Sequence, residues 1–503
     1  MVQVSASAAQ TPTDTPATAG STRFILPVLA VAGIVVSLAQ TLVVPIIGAL
    51  PEILDTTPAN ASWVITVTLL AGAISTPVLG RLADMYGKKR MLMVAIVPFI
   101  VGSVLCALAT GLTPMLIGRG FQGLATGMVP LGISLLHDVL PKERVGKGIA
   151  LMSSSMGIGG ALGLPIAAAV AQFADWRVLF WATAAAGAVA AVALMAVVPV
   201  RKPKGHPYSF DYIGAIGLAI GLVGLLLGVS KGAEWGWNSP ATLTCLIVAV
   251  VVLLLWGSYE LRRPGALVDL RTTVKPVVLL TNLASILVGF ALYAMNLIIP
   301  QVMQLPIDLG YGLGQTMFQM GLWLAPMGIG MMAVSNLGAW ISRTRGPKTT
   351  LITSGIVIAA GYGIAALVLV TIGNRPAGPA DGSSIIATLV LLLIGTTIAG
   401  CGIGLAFGAT PALIMSAVPA SEKAAANGFN SLMRSIGTTS SAAVIGIVLA
   451  SMVQQIDGHA IPTHAGFVVS LLIGCGGALV AAAIAFAIPS RRAAGETEQV
   501  VHA

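Results

Sequence analysis

The chain has 503 residues, 56 % of them hydrophobic and only 9 % charged, with a mean hydropathy of +0.95. A soluble globular domain carries about a quarter charged residues, so the composition excludes one and points to an integral membrane protein of many spans. A net charge of +9 would suggest nucleic acid in a soluble protein. Here the bases have a topological cause, given below, and no nucleic-acid partner is expected.

Residues 1–22, rich in Ser, Thr, Ala and Pro, lack a basic start and an early apolar core, and read as a disordered cytoplasmic tail. Six runs long enough to cross a bilayer then begin near Phe24, Asn60, Met91, Pro114, Gly146 and Val178. A basic link, "VRKPKGHPYSFD", leads to two more near Tyr212 and Ala241. Six last runs begin near Val277, Met317, Thr350, Ile385, Asn427 and Ala465. Lipid offers no hydrogen bonds, so each run must be a helix and the fold is all-α. The expected organisation is a six-helix bundle over 23–200, a two-helix insertion over 201–263, a second six-helix bundle over 264–489 and a cytoplasmic tail over 490–503.

Orientation follows from the bases. With the N-terminus inside, all 26 lysines and arginines fall in cytoplasmic segments except Arg177, Lys231 and Arg375 in outer loops and Arg119 and Arg434 within spans. Both termini are therefore expected in the cytoplasm, in a multi-pass protein of the cell membrane. Trp63, Trp176, Trp181, Trp235 and Trp237 sit near outer ends, as an aromatic belt would. The four cysteines lie inside apolar runs and far apart, which argues against a disulfide framework and a metal site. No nucleotide-binding loop occurs and no cofactor is expected.

The two halves echo each other. "GRLADMYGKKRM" joins spans two and three; "GAWISRTRGPKTT" joins spans ten and eleven. With Gly87 on Gly346, Leu82 meets Ile341 and Lys89 meets Lys348, while Ala339 stands at Gly80 and Arg343 at Asp84. A degraded repeat in the same place suggests two bundles related by an axis along the membrane normal, with the middle pair inserted.

"GRLADMYGKKR" resembles the loop motif of the major facilitator superfamily. "RGFQGLATG", Arg119 to Gly127, is similar to the span-four motif of its proton-coupled members, and "GIGGALGLP", Gly157 to Pro165, to the glycine-rich span-five motif of its antiporters. With fourteen spans the resemblance is to the fourteen-helix drug:proton antiporters, over essentially the whole chain. It implies an exporter that exchanges drugs or antibiotics for protons and confers resistance. The length and the "QTLVVP" opening also resemble self-resistance exporters of antibiotic producers, puromycin exporters among them. Two departures stand out. The span-five motif reads Gly163, Leu164, Pro165 and then Ile166, where the family runs Gly-Pro and ends in paired glycines. Span one has Ala39 and Gln40 where the family often carries an aspartate.

The residues also have readings of their own. In the loop, Gly80 and Gly87 let two helices approach, Asp84 caps or pairs with a neighbouring helix end, and Lys88, Lys89 and Arg90 bind anionic headgroups: a latch on the cytoplasmic side, against the plainer reading of a tight basic loop. Gly157, Gly160 and Gly163, with Pro165 after them, expose backbone for close helix packing, an antiporter signature only through the resemblance. Arg119 shares a helical face with Gln122, Gly123 and Thr126, and a charge inside a span usually faces a cavity or a partner. It is a candidate for proton coupling, with Glu52 and Asp55 as the nearest acids; solvated loop acids are the alternative. His137 and Asp138 read as an interfacial pair. Gln40, Gln122, Tyr293, Asn296 and Arg434 are candidates to line a mostly apolar cavity.

The expected partners are a drug-like small molecule, protons and the bilayer, with the protein a monomer. Export of an endogenous lipid, siderophore or amino acid is the alternative on the same scaffold. A membrane-embedded enzyme would need clustered acids or histidines within spans, and these are missing.

Overall fold

The computed structural model describes residues 19–47, 49–200, 209–372, 382–456 and 459–489. The expected tails at 1–18 and 490–503, the basic link at 201–208 and the loop holding Arg375 lie outside them. Among the described residues thirteen helices are long and apolar enough to cross a membrane. Each begins within about a turn and a half of its apolar run.

Spans one to three are Ala19–Thr41, Trp63–Tyr86 and Lys88–Ala107; five and six are Lys142–Phe173 and Arg177–Val197. The inserted pair is Tyr212–Trp235 and Pro240–Arg262. Spans nine to fourteen are Pro276–Gln304, Met317–Ala333 continued by Ser335–Thr344, Pro347–Ile372, Gly382–Ala417, Lys423–Ser451 and His464–Ala487. Span four is the exception. Its apolar run reads as one helix, but the chain forms Leu112–Leu124, a 3-10 turn at Ala125–Gly127 and then Met128–Val139. The two pieces still cross together. Met115 packs with Leu42, Leu50 and Phe180 at one end, and Leu136 and Val139 pack with Ile25 and Leu92 at the other.

Local chemistry sets several helix starts. Asp211 accepts from the Gly214 amide, Ser239 from Thr242 and Thr463 from Gly466, and Thr316 with Gln319 forms a capping box. The first span begins at Ala19, so the helix takes in the last residues assigned to the tail.

One apolar core joins spans nine to fourteen, and two more join spans one to six. A fourth carries the inserted pair: Phe210, Leu218, Leu222, Leu226 and Trp256 pack on Ala73 of span two and on Phe429 and Leu432 of span thirteen. The insertion thus lies across the seam between the bundles. We call the face bearing the 86–88 turn the basic face. On the opposite face a short hairpin, Val453–Ile456 with His459–Pro462, joins spans thirteen and fourteen. Its Pro462 carbonyl accepts from buried Tyr311 at 2.7 Å.

Candidate functional site

On the basic face, span two ends against the start of span thirteen. A helix start leaves amides without intrahelical partners and carries a partial positive charge. Asp84, in the last turn of span two, takes up two of them: the Ala424 amide donates to Oδ1 at 3.4 Å and the Ala425 amide to Oδ2 at 3.0 Å. Gly80, one turn earlier, is what lets the helices come so close. A Cβ there would stand 2.6 Å from the Ala424 carbonyl oxygen, and one on Gly428 would stand 2.7 Å from the Thr76 oxygen. Gly87 turns the chain at φ 99° into span three, in the left-handed region that favours glycine.

The bases depart from expectation. Lys88 pairs with Asp138 and donates to the Ser134 carbonyl at 3.0 Å. Lys89 donates to the Met195 carbonyl at 2.8 Å, near the end of span six. Span four and span six end beside these two and supply those partners; Arg90 alone of the three stays exposed. His137 and Asp138, expected as an interfacial pair, belong to the same assembly. His137 lies 3.9 Å from Asp138 and its Nε2 lies 3.3 Å from Lys423 Nζ, at the first residue of span thirteen. The i,i+1 spacing of His137 and Asp138 carries no signal of partners so far away in the chain.

Arg119 is 1 % exposed. Its Nη1 donates to the Ala39 carbonyl at 2.9 Å and to Gln122 Oε1 at 2.6 Å, and its Nε to the Val64 carbonyl at 3.2 Å. Gln122 Nε2 continues to Ser103 Oγ at 2.8 Å. Span one ends at Thr41, so Ala39 presents one of the carbonyls left over at a helix end, where a cation is favoured. Among the described residues no carboxylate bonds to Arg119. The expected acids lie elsewhere: Glu52 and Asp55 are exposed, Glu52 in the one-turn helix Leu50–Ile53 and Asp55 in a left-handed turn at φ 47°. They do sit in the segment whose two ends, Ala39 and Val64, Arg119 grips.

The span-five motif splits by direction. Gly157 faces Met331 of span ten, and Pro165 lies against Gly321 of the same span. Gly163 faces Thr41 of span one, and a Cβ on Gly160 would meet nothing within 4 Å. The close approach to span one falls instead to Gly159, where a Cβ would stand 2.6 Å from the Ile34 carbonyl oxygen. Helical phase explains the shift: 159 and 163 are one turn apart, and 160 points away. Ser153 Oγ bonds the Phe407 carbonyl at 2.7 Å, so span five also ties the two bundles together.

The cavity candidates are spread out. Gln122 is consumed by Arg119 and Ser103 and faces protein. Gln40 Nε2 reaches Thr126 at 3.3 Å. Asn296 is exposed and bonds its own helix at the Leu292 carbonyl, 2.8 Å away, while Tyr293 is partly buried. Arg434 has its guanidinium carbon 4.7 Å above the Phe407 ring and donates to Ser431 at 3.1 Å. Asn430, one turn before it, donates to Asn282 at 2.9 Å and Ser285 at 2.8 Å.

Comparison with known proteins agrees with this architecture. The model of the Major Facilitator Superfamily matches residues 29–210 and 212–442. An uncharacterized MFS-type transporter of Mycobacterium tuberculosis is 28 % identical over 315 residues, 62 % of this chain but only 44 % of that protein. A Multidrug resistance protein B homolog of the same species is 27 % identical over 315 residues, 61 % of this chain and 56 % of the relative. The uncharacterized transporter YebQ of Escherichia coli is 26 % identical over 406 residues, 80 % and 84 %. Among solved structures, the human organic anion transporter MFSD10 aligns with a TM-score of 0.61 at 13 % identity over 92 % of this chain and 99 % of that one. The proton:xylose symporter XylE aligns at 0.60 and 13 %, over 92 % and 95 %. Matched over most of its length by this family's model, the chain belongs to the Major Facilitator Superfamily.

Proposed function

We propose that this protein is a secondary active exporter that exchanges drug-like molecules from the cytoplasm for external protons, with the basic face cytoplasmic and both termini there. The observation that carries the reading is the grip of Asp84 on the Ala424 and Ala425 amides. It closes one face by a contact that separates when the bundles rock, as alternating access requires. The multidrug resistance relative supports a drug substrate, and the resemblance to self-resistance exporters makes puromycin the first compound to test. Proton uptake is assigned to Glu52 and Asp55, exposed on the opposite face. Arg119 transmits it as a positioning residue, because it holds both ends of the segment that carries them. A guanidinium keeps its own proton at working pH and is not the carrier.

The test is efflux from loaded cells over a panel that includes puromycin. A protonophore, with ATP held up, should abolish efflux; survival of efflux sinks the antiport reading. At equal expression Arg119→Ala should lose resistance, and Arg119→Lys should keep part of it, since the charge remains but not the planar fork.

A further inference from the structure

The link after span eight runs from Pro264 to Lys275 along the basic face and ends beside the latch. Leu267 and Val268 are buried in the core that joins the inserted pair to spans two and thirteen. Asp269 caps the short helix Leu270–Thr273 through the Arg271 and Thr272 amides. Thr272, 8 % exposed, then donates from Oγ1 to Glu422 Oε2 at 3.3 Å. Glu422 is the residue just before span thirteen, two positions ahead of the first amide that Asp84 holds. Arg81 of span two, Asp269, Thr272 and Glu422 line one pocket together with Ala425 and Phe429. The root of the link is fastened as well: Arg263 Nε lies 3.6 Å from buried Asp211, which also accepts from Tyr259 at 3.0 Å.

We propose that this link is a second clasp on the seam, holding the start of span thirteen through Glu422, so that the inserted pair takes part in opening and closing the basic face. Asp84 grips the helix start from the first bundle, and Thr272 grips it from the insertion. The clasp responds to pH through the charges around it. Burial, and then the like charge of Asp269, push the Glu422 carboxyl above its ordinary value near 4.5, against the Thr272 hydrogen bond and the positive charges of Arg81 and Lys275. Asp84, Arg271, Lys423 and His137 are further charged or titratable groups on the elements around it, as are Asp211 and Arg263 at the root of the link and buried Glu260, which faces Leu267 and Val268. An acid raised in the closed form binds its proton more readily there than in an opened form where the carboxyl returns to water. Acid therefore favours closure, and closure is lost as pH rises through the raised value.

The experiment needs neither substrate nor a proton gradient, so its outcome is separate from that of the efflux reading. Nitroxides are placed at the exposed positions Glu143 and Arg345, one on each bundle, in protein freed of its four native cysteines. Their distance distribution is read in lipid nanodiscs from about pH 5 to about pH 9. The full-length protein should pass from a short to a long distance as pH rises. Glu422→Gln, a neutral isostere, should stay short throughout, and Asp269→Asn, which keeps the cap but removes the like charge, should move the midpoint downward by roughly one pH unit; an upward shift overturns the proposal. Thr272→Val should at least double the long-distance fraction at the acid end of the range, where the full-length protein is mostly short. A Glu422→Gln profile like the wild type, or a Thr272→Val fraction unchanged, overturns the proposal; if Glu422→Gln fails to fold, the direction of the Asp269→Asn shift decides.

Discussion

The turn between spans two and three and the turn between spans ten and eleven hold the same place in their bundles, and they differ in one respect. Gly87 and Gly346 both take a left-handed backbone, at φ 99° and 88°. Lys89 reaches the Met195 carbonyl at 2.8 Å near the end of span six, and Lys348 reaches the Ile488 carbonyl at 2.5 Å just past span fourteen. In each bundle a lysine thus meets the negative end of that bundle's last helix. But Asp84 holds the start of span thirteen, whereas its counterpart Arg343 is exposed. Gly80 lies against the Ala424 backbone, and Ala339 stands in its place in the second turn. The lysine contacts that build each bundle are duplicated; a carboxylate that grips the facing bundle is present in the first turn and absent from its counterpart.

The largest expected effect comes from filling the close approach at Gly80. Gly80→Ala puts a methyl 2.6 Å from the Ala424 oxygen, where backbone must move. Overpacking of this kind costs about 1–3 kcal/mol. The closed form should lose roughly tenfold or more in population, seen as a wider label distance across the basic face and as lost efflux. Ala339→Val, at the matching place, should leave both nearly unchanged. An equal effect at the two positions would end the distinction between the turns.

Next comes Asp84→Asn. The amide keeps an acceptor oxygen but removes the charge that faces the helix start, a loss of about 0.3–2 kcal/mol. Efflux should fall severalfold at equal insertion, with thermal stability little changed. A variant that transports like the wild type would return the motif to a plain tight loop.

The smallest effect is shared. Lys89→Ala and Lys348→Ala each remove a lysine from a helix end, and each should lower stability by about 0.3–1 kcal/mol. The two midpoints of thermal unfolding should drop by similar small amounts while the closed fraction holds. A gating defect from Lys348→Ala alone would show that the second turn also works the seam.

The order and places of the spans were legible in the sequence because lipid leaves the chain no alternative to helix. The turn glycines and the odd placement of Asp84 were legible too, since each breaks an apolar pattern. What the sequence could not show is which atoms those residues meet. The Asp84 partners are backbone amides 340 and 341 positions along the chain, and an amide has no residue type to read. The same holds for Arg119, whose Ala39 and Val64 partners are carbonyls, equally without a residue type to read. Gly159 rather than Gly160 meets span one because helix phase, invisible in a glycine-rich run, decides which face packs. The break in span four at Ala125–Gly127 left no mark in hydropathy. Solvent and period determine the elements; only packing decides which helix ends face one another, and the seam is made of helix ends.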